Sequence, residues 1–141
     1  MSRVKRSRFA RWAGTAAVAA ALAVPAAATA APTVLAPNLA VRTAASGLVT
    51  PISMAFIGPN DMLVLEKNTG RVQRVVNGAV LATVLDLPVN FASERGLLGI
   101  ALDPDFPIDP GVYLFWSESA SGTDSSSTTD VPLLGNRIDR V

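Results

Sequence analysis

Residues 71–85 read RVQRVVNGAVLATVL, and this stretch decides the fold. Polar and apolar side chains alternate over residues 71–76, which is typical of a strand with one buried face. Asn77-Gly78 follows, and both residue types tolerate the positive φ angles of a tight two-residue turn. Residues 79–85 are again apolar, so the stretch predicts a β-hairpin.

Two further strands are predicted on the N-terminal side of this hairpin. Residues 52–57 (ISMAFI) and 62–66 (MLVLE) are short apolar runs, and the turn cluster Gly58-Pro59-Asn60-Asp61 separates them. Another turn, Asn68-Thr69-Gly70, leads into the hairpin. Four short strands joined by tight turns indicate an antiparallel up-and-down sheet.

A second sheet is predicted from residues 97–102 (LLGIAL), 112–116 (VYLFW) and 136–141 (NRIDRV). The Ser- and Thr-rich residues 117–130 are predicted to form a mobile surface loop. Four-stranded units that repeat along a sequence are typical of propeller blades. The predicted fold class is therefore all-β, with antiparallel four-stranded blades that form an incomplete part of a β-propeller.

One and a half blades cannot close a ring, and they would leave strand edges exposed. We therefore expect residues 47–141 to be the N-terminal part of a longer propeller domain. The Ala-, Pro- and Thr-rich residues 31–46 are interpreted as a lead-in to that domain.

Residues 1–30 are predicted to be a secretory signal peptide. Five basic residues precede an apolar, Ala-rich stretch, and Ala28-Thr29-Ala30 has the small-x-small form of a cleavage site. The apolar stretch is short and only weakly hydrophobic, so we expect no stable membrane anchor. The protein is accordingly expected to be secreted or periplasmic.

Removal of this segment would change the charge of the protein. The whole sequence has 12 Lys and Arg against 11 Asp and Glu, whereas residues 31–141 keep seven basic and all 11 acidic residues, a net charge of −4. An acidic exported domain is a poor binder of nucleic acid. The absence of His and Cys from the sequence excludes a Ser-His-Asp triad, a Cys nucleophile and His- or Cys-ligated zinc.

Several motifs occur in an order that resembles a known family. They are Gly47-Leu48, Pro51, Met54-Ala55-Phe56, Leu63-Val64-Leu65-Glu66-Lys67, Gly70-Arg71-Val72, Asn77-Gly78, Leu85-Asp86-Leu87, the run ERGLLGIALDPDF at 94–106, and VYLFW at 112–116. Over nearly all of residues 47–116 the chain resembles the pyrroloquinoline-quinone (PQQ)-dependent glucose/sorbosone dehydrogenases.

The resemblance implies a six-bladed β-propeller that carries PQQ and calcium. It implies an exported enzyme that oxidises a sugar hydroxyl or hemiacetal: a His base takes the proton, hydride passes to the quinone, and an external acceptor takes the electrons. The family's base, calcium ligands and basic quinone clamp are expected beyond Val141. Because this chain has no His, we expect it to be inactive on its own.

Glu94 is the candidate pocket-facing residue for cofactor and substrate. The resemblance places it where glucose-oxidising members have Gln, and an ionised carboxylate accepts hydrogen bonds without donating them. Arg95 is a second candidate, although anchoring the loop is the role we favour for it. Glu66 and Lys67 are interpreted as structural or rim residues, and Asp103, Asp105 and Asp109 as an acidic turn instead of a calcium loop.

Two other interpretations stay open at this point. A propeller of the same lineage could bind carbohydrate or protein without redox chemistry, which the missing base and the carboxylate at Glu94 favour. Alternatively, the chain is a truncated product with no function of its own.

Overall fold

The structure is a computed structural model that describes residues 32–133 and 135–141. The predicted signal peptide, residues 1–30, lies outside the described residues and stays a prediction. The chain divides after Leu39 into two compact units. In the first unit, residues 32–39 form a turn in which the Leu39 N–H donates to the Ala36 carbonyl (3.2 Å).

The second unit, Ala40–Val141, contains all the strands of the described residues. They are β1 (Pro51–Gly58), β2 (Asp61–Glu66), β3 (Arg71–Val76), β4 (Ala79–Asp86), β5 (Leu97–Leu102), β6 (Val112–Ser117) and β7 (Asn136–Arg140). Each of these strands was predicted from the sequence to within about two residues at either end, which is the usual uncertainty of an assigned boundary.

The strands form two antiparallel sheets. The first is four-stranded, in the order β1-β2-β3-β4, and the second is three-stranded, in the order β5-β6-β7. Every neighbour in a sheet is also the neighbour in sequence, which is the up-and-down meander of a propeller blade. The predicted all-β fold class with antiparallel blades is confirmed.

The β3–β4 hairpin turns at the predicted residues. Asn77 and Gly78 have φ angles of 51° and 82°, as a turn of this kind requires. The Asn77 N–H also donates to the Asn60 carbonyl at 2.8 Å, so the β3–β4 turn is tied to the β1–β2 turn. A Cβ atom on Gly78 would lie 2.7 Å from the Ala44 carbonyl oxygen, so glycine also permits this close approach.

The main core lies between the two sheets. One face of the first sheet contributes Leu63, Leu65 and Val72, and one face of the second contributes Leu97, Val112, Leu114 and Trp116. The side chains of Leu65, Leu97 and Leu114 are fully buried, and each such burial stabilises the fold by roughly 2 kcal/mol. This contact fixes the two sheets face to face.

The opposite face of the first sheet has a smaller core of Met62, Val64 and Val75, against which Ala45 and Leu48 pack. On the same face, Met54 and Phe56 of β1 stay 58% and 61% exposed. Within the described residues, β1 and β4 are the outer strands of their sheet and have no further strand beside them.

Among the glycines of the first sheet and its turns, Gly70 leaves the least room for a side chain. Its φ is +64°, and an added Cβ would overlap the carbonyl of Leu87, whose N–H bonds to the Gly70 carbonyl at 3.1 Å. Gly122 has a similar φ of +73° with open space around it. The two glycines therefore separate the cost of a positive φ from the cost of an overlap.

We expect Gly70→Ala to lower the free energy of unfolding by at least about 3 kcal/mol, because backbone strain and a backbone overlap add together. Gly122→Ala should cost about 1 kcal/mol, the strain alone. Urea unfolding of both variants and the parent chain, followed by circular dichroism, measures the difference. Equal losses in the two variants would contradict the close approach of Gly70 to Leu87.

Candidate functional site

Four segments meet at one end of the sheets, which we call the loop end. They are residues 47–50, the β2–β3 turn at 67–70, the β4–β5 connection at 87–96, and the first part of the β6–β7 connection, 118–133. Backbone hydrogen bonds of 2.8–3.1 Å join each segment to another: Lys67 to Thr50, Leu87 to Gly70, and Phe91 to Ser125. The loop end contains both residues predicted as site candidates, Glu94 and Arg95.

Glu66 ends β2 with a buried carboxylate that is only 2% exposed. Its Oε1 accepts the Val49 N–H and its Oε2 accepts the Thr69 hydroxyl, each at 2.8 Å. A buried carboxylate is tolerated only where hydrogen bonds replace its hydration. Glu66 therefore joins the segment before β1 to the turn after β2, which agrees with the structural role expected from the sequence.

Lys67 is the next residue, and it contacts the loop that carries Glu94. Its ammonium donates to the Ser93 carbonyl (2.8 Å), and its own carbonyl accepts the Leu97 N–H (3.0 Å). Gly96, with φ +130°, passes so close that an added Cβ would overlap the Lys67 carbonyl. Residues 93–97 are thus held at both ends by one residue of the β2–β3 turn.

Glu94 lies at the exposed tip of this loop. The loop turns through a hydrogen bond from the Arg95 N–H to the Ala92 carbonyl (3.2 Å), and Ser93 has a φ of +56°. Within the described residues, the Glu94 carboxylate makes no side-chain hydrogen bond or ion pair. Its lone pairs are therefore available to a ligand, and its pocket-facing role stays a prediction.

Arg95 is half-buried and points to the Ser- and Thr-rich loop. Its guanidinium donates to the Thr128 carbonyl at 3.0 Å. This contact links the Glu94 loop to residues 117–130 and agrees with the loop-anchoring role favoured from the sequence. A guanidinium has five N–H donors, so most of them stay available for other partners.

Asn90 is a residue that sequence reasoning missed. Its side chain is fully buried and donates to the carbonyls of Ser127 and Asp130, both at 2.7 Å, while its Oδ1 accepts the Ala92 N–H at 3.0 Å. These bonds hold residues 117–130 against the Glu94 loop, a region for which the sequence predicted a mobile loop. The only signal was a polar residue between the apolar Val89 and Phe91.

Asp130 organises the hydroxyl groups of the same loop. Its carboxylate accepts the hydroxyl of Ser121 (2.7 Å) and of Ser119 (2.9 Å), and also the Ser121 N–H (2.8 Å). Hydrogen bonds from Ser121 first, and then from Ser125 and Ser119, lower the pKa of Asp130 to about 2. The carboxylate is therefore ionised and already satisfied by its own loop.

Comparison with known proteins then identifies the family. The family model for glucose/sorbosone dehydrogenases matches residues 48–137. The chain belongs to the glucose/sorbosone dehydrogenase family. The resemblance noted from its ordered motifs is thereby confirmed. No match was found among curated proteins.

Solved structures of this family are similar to the chain. One is a Thermus thermophilus protein assigned as an oxidoreductase (glucose dehydrogenase), with 32% identity over 70% of this chain and a TM-score of 0.54. Another is the PQQ-bound form of an aldose sugar dehydrogenase from Streptomyces coelicolor, with 33% identity over 71% of this chain and a TM-score of 0.50. The chain spans 26% of the length of each.

The acidic turn between β5 and β6 lies at the end of the sheets opposite the loop end. Arg140 forms ion pairs with Asp109 and with Asp103 (3.7 Å), and Asp103 also accepts the Tyr113 hydroxyl (3.3 Å). The acidic turn predicted there is thus tied to β7. Across residues 32–133 and 135–141, no group of three or more acidic residues is arranged to hold a metal ion.

A groove of about 510 Å³ lies over Met54 and Phe56, beside residues 42–44. It includes neither Glu94 nor Arg95, and its walls are the exposed face of β1 and the β1–β2 and β3–β4 turns. The groove is therefore separate from the loop end of this dehydrogenase-family chain. No helix in the described ranges has the length and hydropathy needed to span a bilayer.

We expect the Asp130 carboxyl group to titrate with a midpoint near 2, which carboxyl ¹³C NMR of the chain between pH 1.5 and 6 measures. Because the folded pKa lies below the ordinary value of 3.8, the bonds of Asp130 stabilise the loop above about pH 4 and lose this effect as the pH falls toward 2. Ser121→Ala should move the midpoint back toward 3.8. A midpoint at the ordinary value in the parent chain would contradict the hydroxyl cluster.

Proposed function

We propose that this chain contributes the loop end of the cofactor and substrate site in an exported, PQQ-dependent sugar dehydrogenase. The reaction is oxidation of a sugar hydroxyl or hemiacetal, with hydride transfer to the quinone and re-oxidation by an external acceptor. Membership of the glucose/sorbosone dehydrogenase family and similarity to a PQQ-bound aldose sugar dehydrogenase support the proposal. The observation that carries it is the exposed Glu94 carboxylate, in a loop that two cationic side chains hold.

The side chains of the loop end fit an anionic quinone. PQQ is a tricarboxylate, so a site for it needs positive charge that is not already neutralised. The described contacts of the Lys67 ammonium and the Arg95 guanidinium are with the carbonyls of Ser93 and Thr128, and none is with a carboxylate. Each cation therefore keeps its charge and spare N–H donors for a carboxylate ligand.

PQQ supplies the two-electron acceptor when it is bound, and the residues of this chain bind and orient the quinone and the sugar. Lys67 and Arg95 would hold carboxylate groups of the quinone. Glu94, as an ionised carboxylate, would accept hydrogen bonds from the hydroxyl groups of a sugar and so fix its orientation. Well-oriented reactants lower the barrier because their entropy of association is lost on binding and not in the transition state.

The base and the metal of this reaction are not assigned to the chain. The sequence has no His, so no residue here matches the family's proton acceptor. Calcium also does not fit the residues described, among which no acidic group of the required size occurs.

Export is part of the proposal. The basic n-region, the Ala-rich stretch and the Ala28-Thr29-Ala30 sequence support transport to the periplasm or the medium. The net charge of −4 for residues 31–141 suits a freely diffusing exported protein better than one bound to nucleic acid.

A non-catalytic propeller that binds carbohydrate is the second candidate function. The observation that favours it is the exposed carboxylate of Glu94, at a position where the resemblance implies an amide in glucose-oxidising members. Such a module would use Glu94 and the Ser- and Thr-rich loop to bind sugar hydroxyls, with no need for the quinone. The two functions differ in whether PQQ binds at the loop end.

We expect PQQ to bind the chain at the loop end, where titration followed by ¹H–¹⁵N NMR should move the amide signals of residues 66–70 and 91–96. The signals of residues 103–109 at the opposite end should stay in place, because the cation there is already paired with carboxylates. Arg95→Gln should weaken PQQ binding by about three- to tenfold, the effect of losing one exposed charged hydrogen bond.

Arg42→Gln is the matched control, since Arg42 is an exposed arginine in the groove beside Met54 and Phe56, apart from the loop end. It should leave PQQ affinity unchanged. Loss of affinity in both variants would mean non-specific anion binding and would overturn the proposal. Signals at the loop end that move with glucose and not with PQQ would overturn it in favour of the carbohydrate-binding module.

A further inference from the structure

We propose that Lys67 is a positioning residue that sets the direction of Glu94, by holding the strained turn from which Glu94 projects. The functional importance of this role rests on the proposed function, in which the direction of the Glu94 side chain orients a bound sugar. The geometry itself stands on contacts between Lys67 and residues 93–97, and it is testable without any ligand.

The ammonium of Lys67 contacts the peptide bond that leads directly to Glu94. It donates to the Ser93 carbonyl at 2.8 Å, and that carbonyl belongs to the same planar peptide unit as the Glu94 N–H. The Glu94 Cα lies in this plane, so a fixed orientation of the plane fixes the position from which the Glu94 side chain projects. No other side chain in the described residues donates to the Ser93 carbonyl.

Ser93 adopts a conformation that needs such support. Its φ of +56° lies in the left-handed region, which costs a residue with a Cβ roughly 1–2 kcal/mol. A strained residue persists where the surrounding structure over-determines it, and such residues cluster at binding sites. The charged hydrogen bond from Lys67 offsets part of this strain at the place where it arises.

The backbone of Lys67 is fixed by the segment that precedes β1. Its N–H donates to the Thr50 carbonyl at 3.0 Å, and the preceding residue, Glu66, is buried and bonded to Val49. Thr50 is a β-branched residue with φ +45°, a second strained position beside the same turn. The ammonium therefore reaches the Ser93 carbonyl from a fixed backbone.

The stem of Lys67 packs on the far end of the same loop. A Cβ on Gly96 would lie 2.9 Å from the Lys67 Cγ, and the Lys67 carbonyl accepts the Leu97 N–H. The stem and the ammonium thus contact the residues on either side of Glu94 and Arg95. The Arg95 side chain donates to Thr128, on a different segment, so it does not replace the contact between Lys67 and Ser93.

The test compares Lys67→Met, which keeps the stem and removes the ammonium, with Lys67→Arg, which keeps a cation. Amide hydrogen exchange of Arg95, whose N–H closes the turn on Ala92, reports the turn in the absence of ligand. We expect Lys67→Met to speed this exchange by about five- to tenfold, the effect of losing one exposed charged hydrogen bond. Lys67→Arg should restore slow exchange, and exchange in β3 should be the same in all variants.

A second substitution tests whether Lys67 acts by offsetting the backbone strain at Ser93. Glycine holds φ +56° at no steric cost, so Ser93→Gly in the Lys67→Met background should return the Arg95 exchange to within about twofold of the parent chain. Arg42→Met, the matched loss of a distant cation, should change nothing at Arg95. Unchanged exchange in Lys67→Met would overturn the proposal.

Failure to fold is also informative. If Lys67→Met unfolds while the double variant with Ser93→Gly folds, the positioning role is supported. If neither variant folds, Lys67 is needed for the stability of the sheets themselves, and the proposal is wrong. Absence of PQQ binding to the parent chain, with the exchange results as expected, would remove the proposed function and leave the positioning of Glu94 intact.

Discussion

The burial of apolar side chains between the two sheets is the interaction on which the rest of the structure depends. Leu65, Leu97 and Leu114 meet in one cluster with Trp116, and each of the three leucines is removed from water entirely. Because the two sheets are thereby fixed face to face, the connections that leave them at the same end are brought into hydrogen-bonding distance. The loop end depends on this core, because the bond from the Leu97 N–H to the Lys67 carbonyl joins a strand of the second sheet to a turn of the first.

The sequence predicted the strands well because their signals are local. Alternation in residues 71–76 and the turn residues Asn77 and Gly78 depend only on neighbours along the chain. The observed β3–β4 hairpin has the predicted turn, and its limits agree with the prediction to within one residue. Two-residue periodicity and turn chemistry are read directly from sequence. The family resemblance rested on the same segments, and the match to residues 48–137 extends it through the Ser- and Thr-rich loop.

The contacts that build the site were not predictable in the same way, because they join residues far apart in sequence. Lys67 and Ser93 are 26 positions apart, and Asn90 and Asp130 are 40 apart. Nothing in the composition of residues 117–130 indicates that one buried amide will hold two of their carbonyls. Glu94 and Arg95 were predicted as candidates from a motif, whereas the structure adds which backbone groups hold them in place.

The two cations beside the Glu94 loop have different partners from the cations that form ion pairs elsewhere in the sheets. At the end opposite the loop end, Arg140 pairs with two carboxylates and Arg74 forms a two-bond contact with Asp61 at 3.0 and 2.6 Å. These cations are neutralised by the fold, and the Arg74 contact lowers the pKa of Asp61. Lys67 and Arg95 instead donate to carbonyl oxygens, which satisfies a hydrogen bond and leaves the net charge in place.

A carbonyl partner orients a cation without cancelling its field, so an anionic ligand approaching Glu94 from the loop end would meet two fixed positive charges. The Glu94 carboxylate is exposed and pairs with neither cation in the described contacts, since Lys67 donates to Ser93 and Arg95 donates to Thr128.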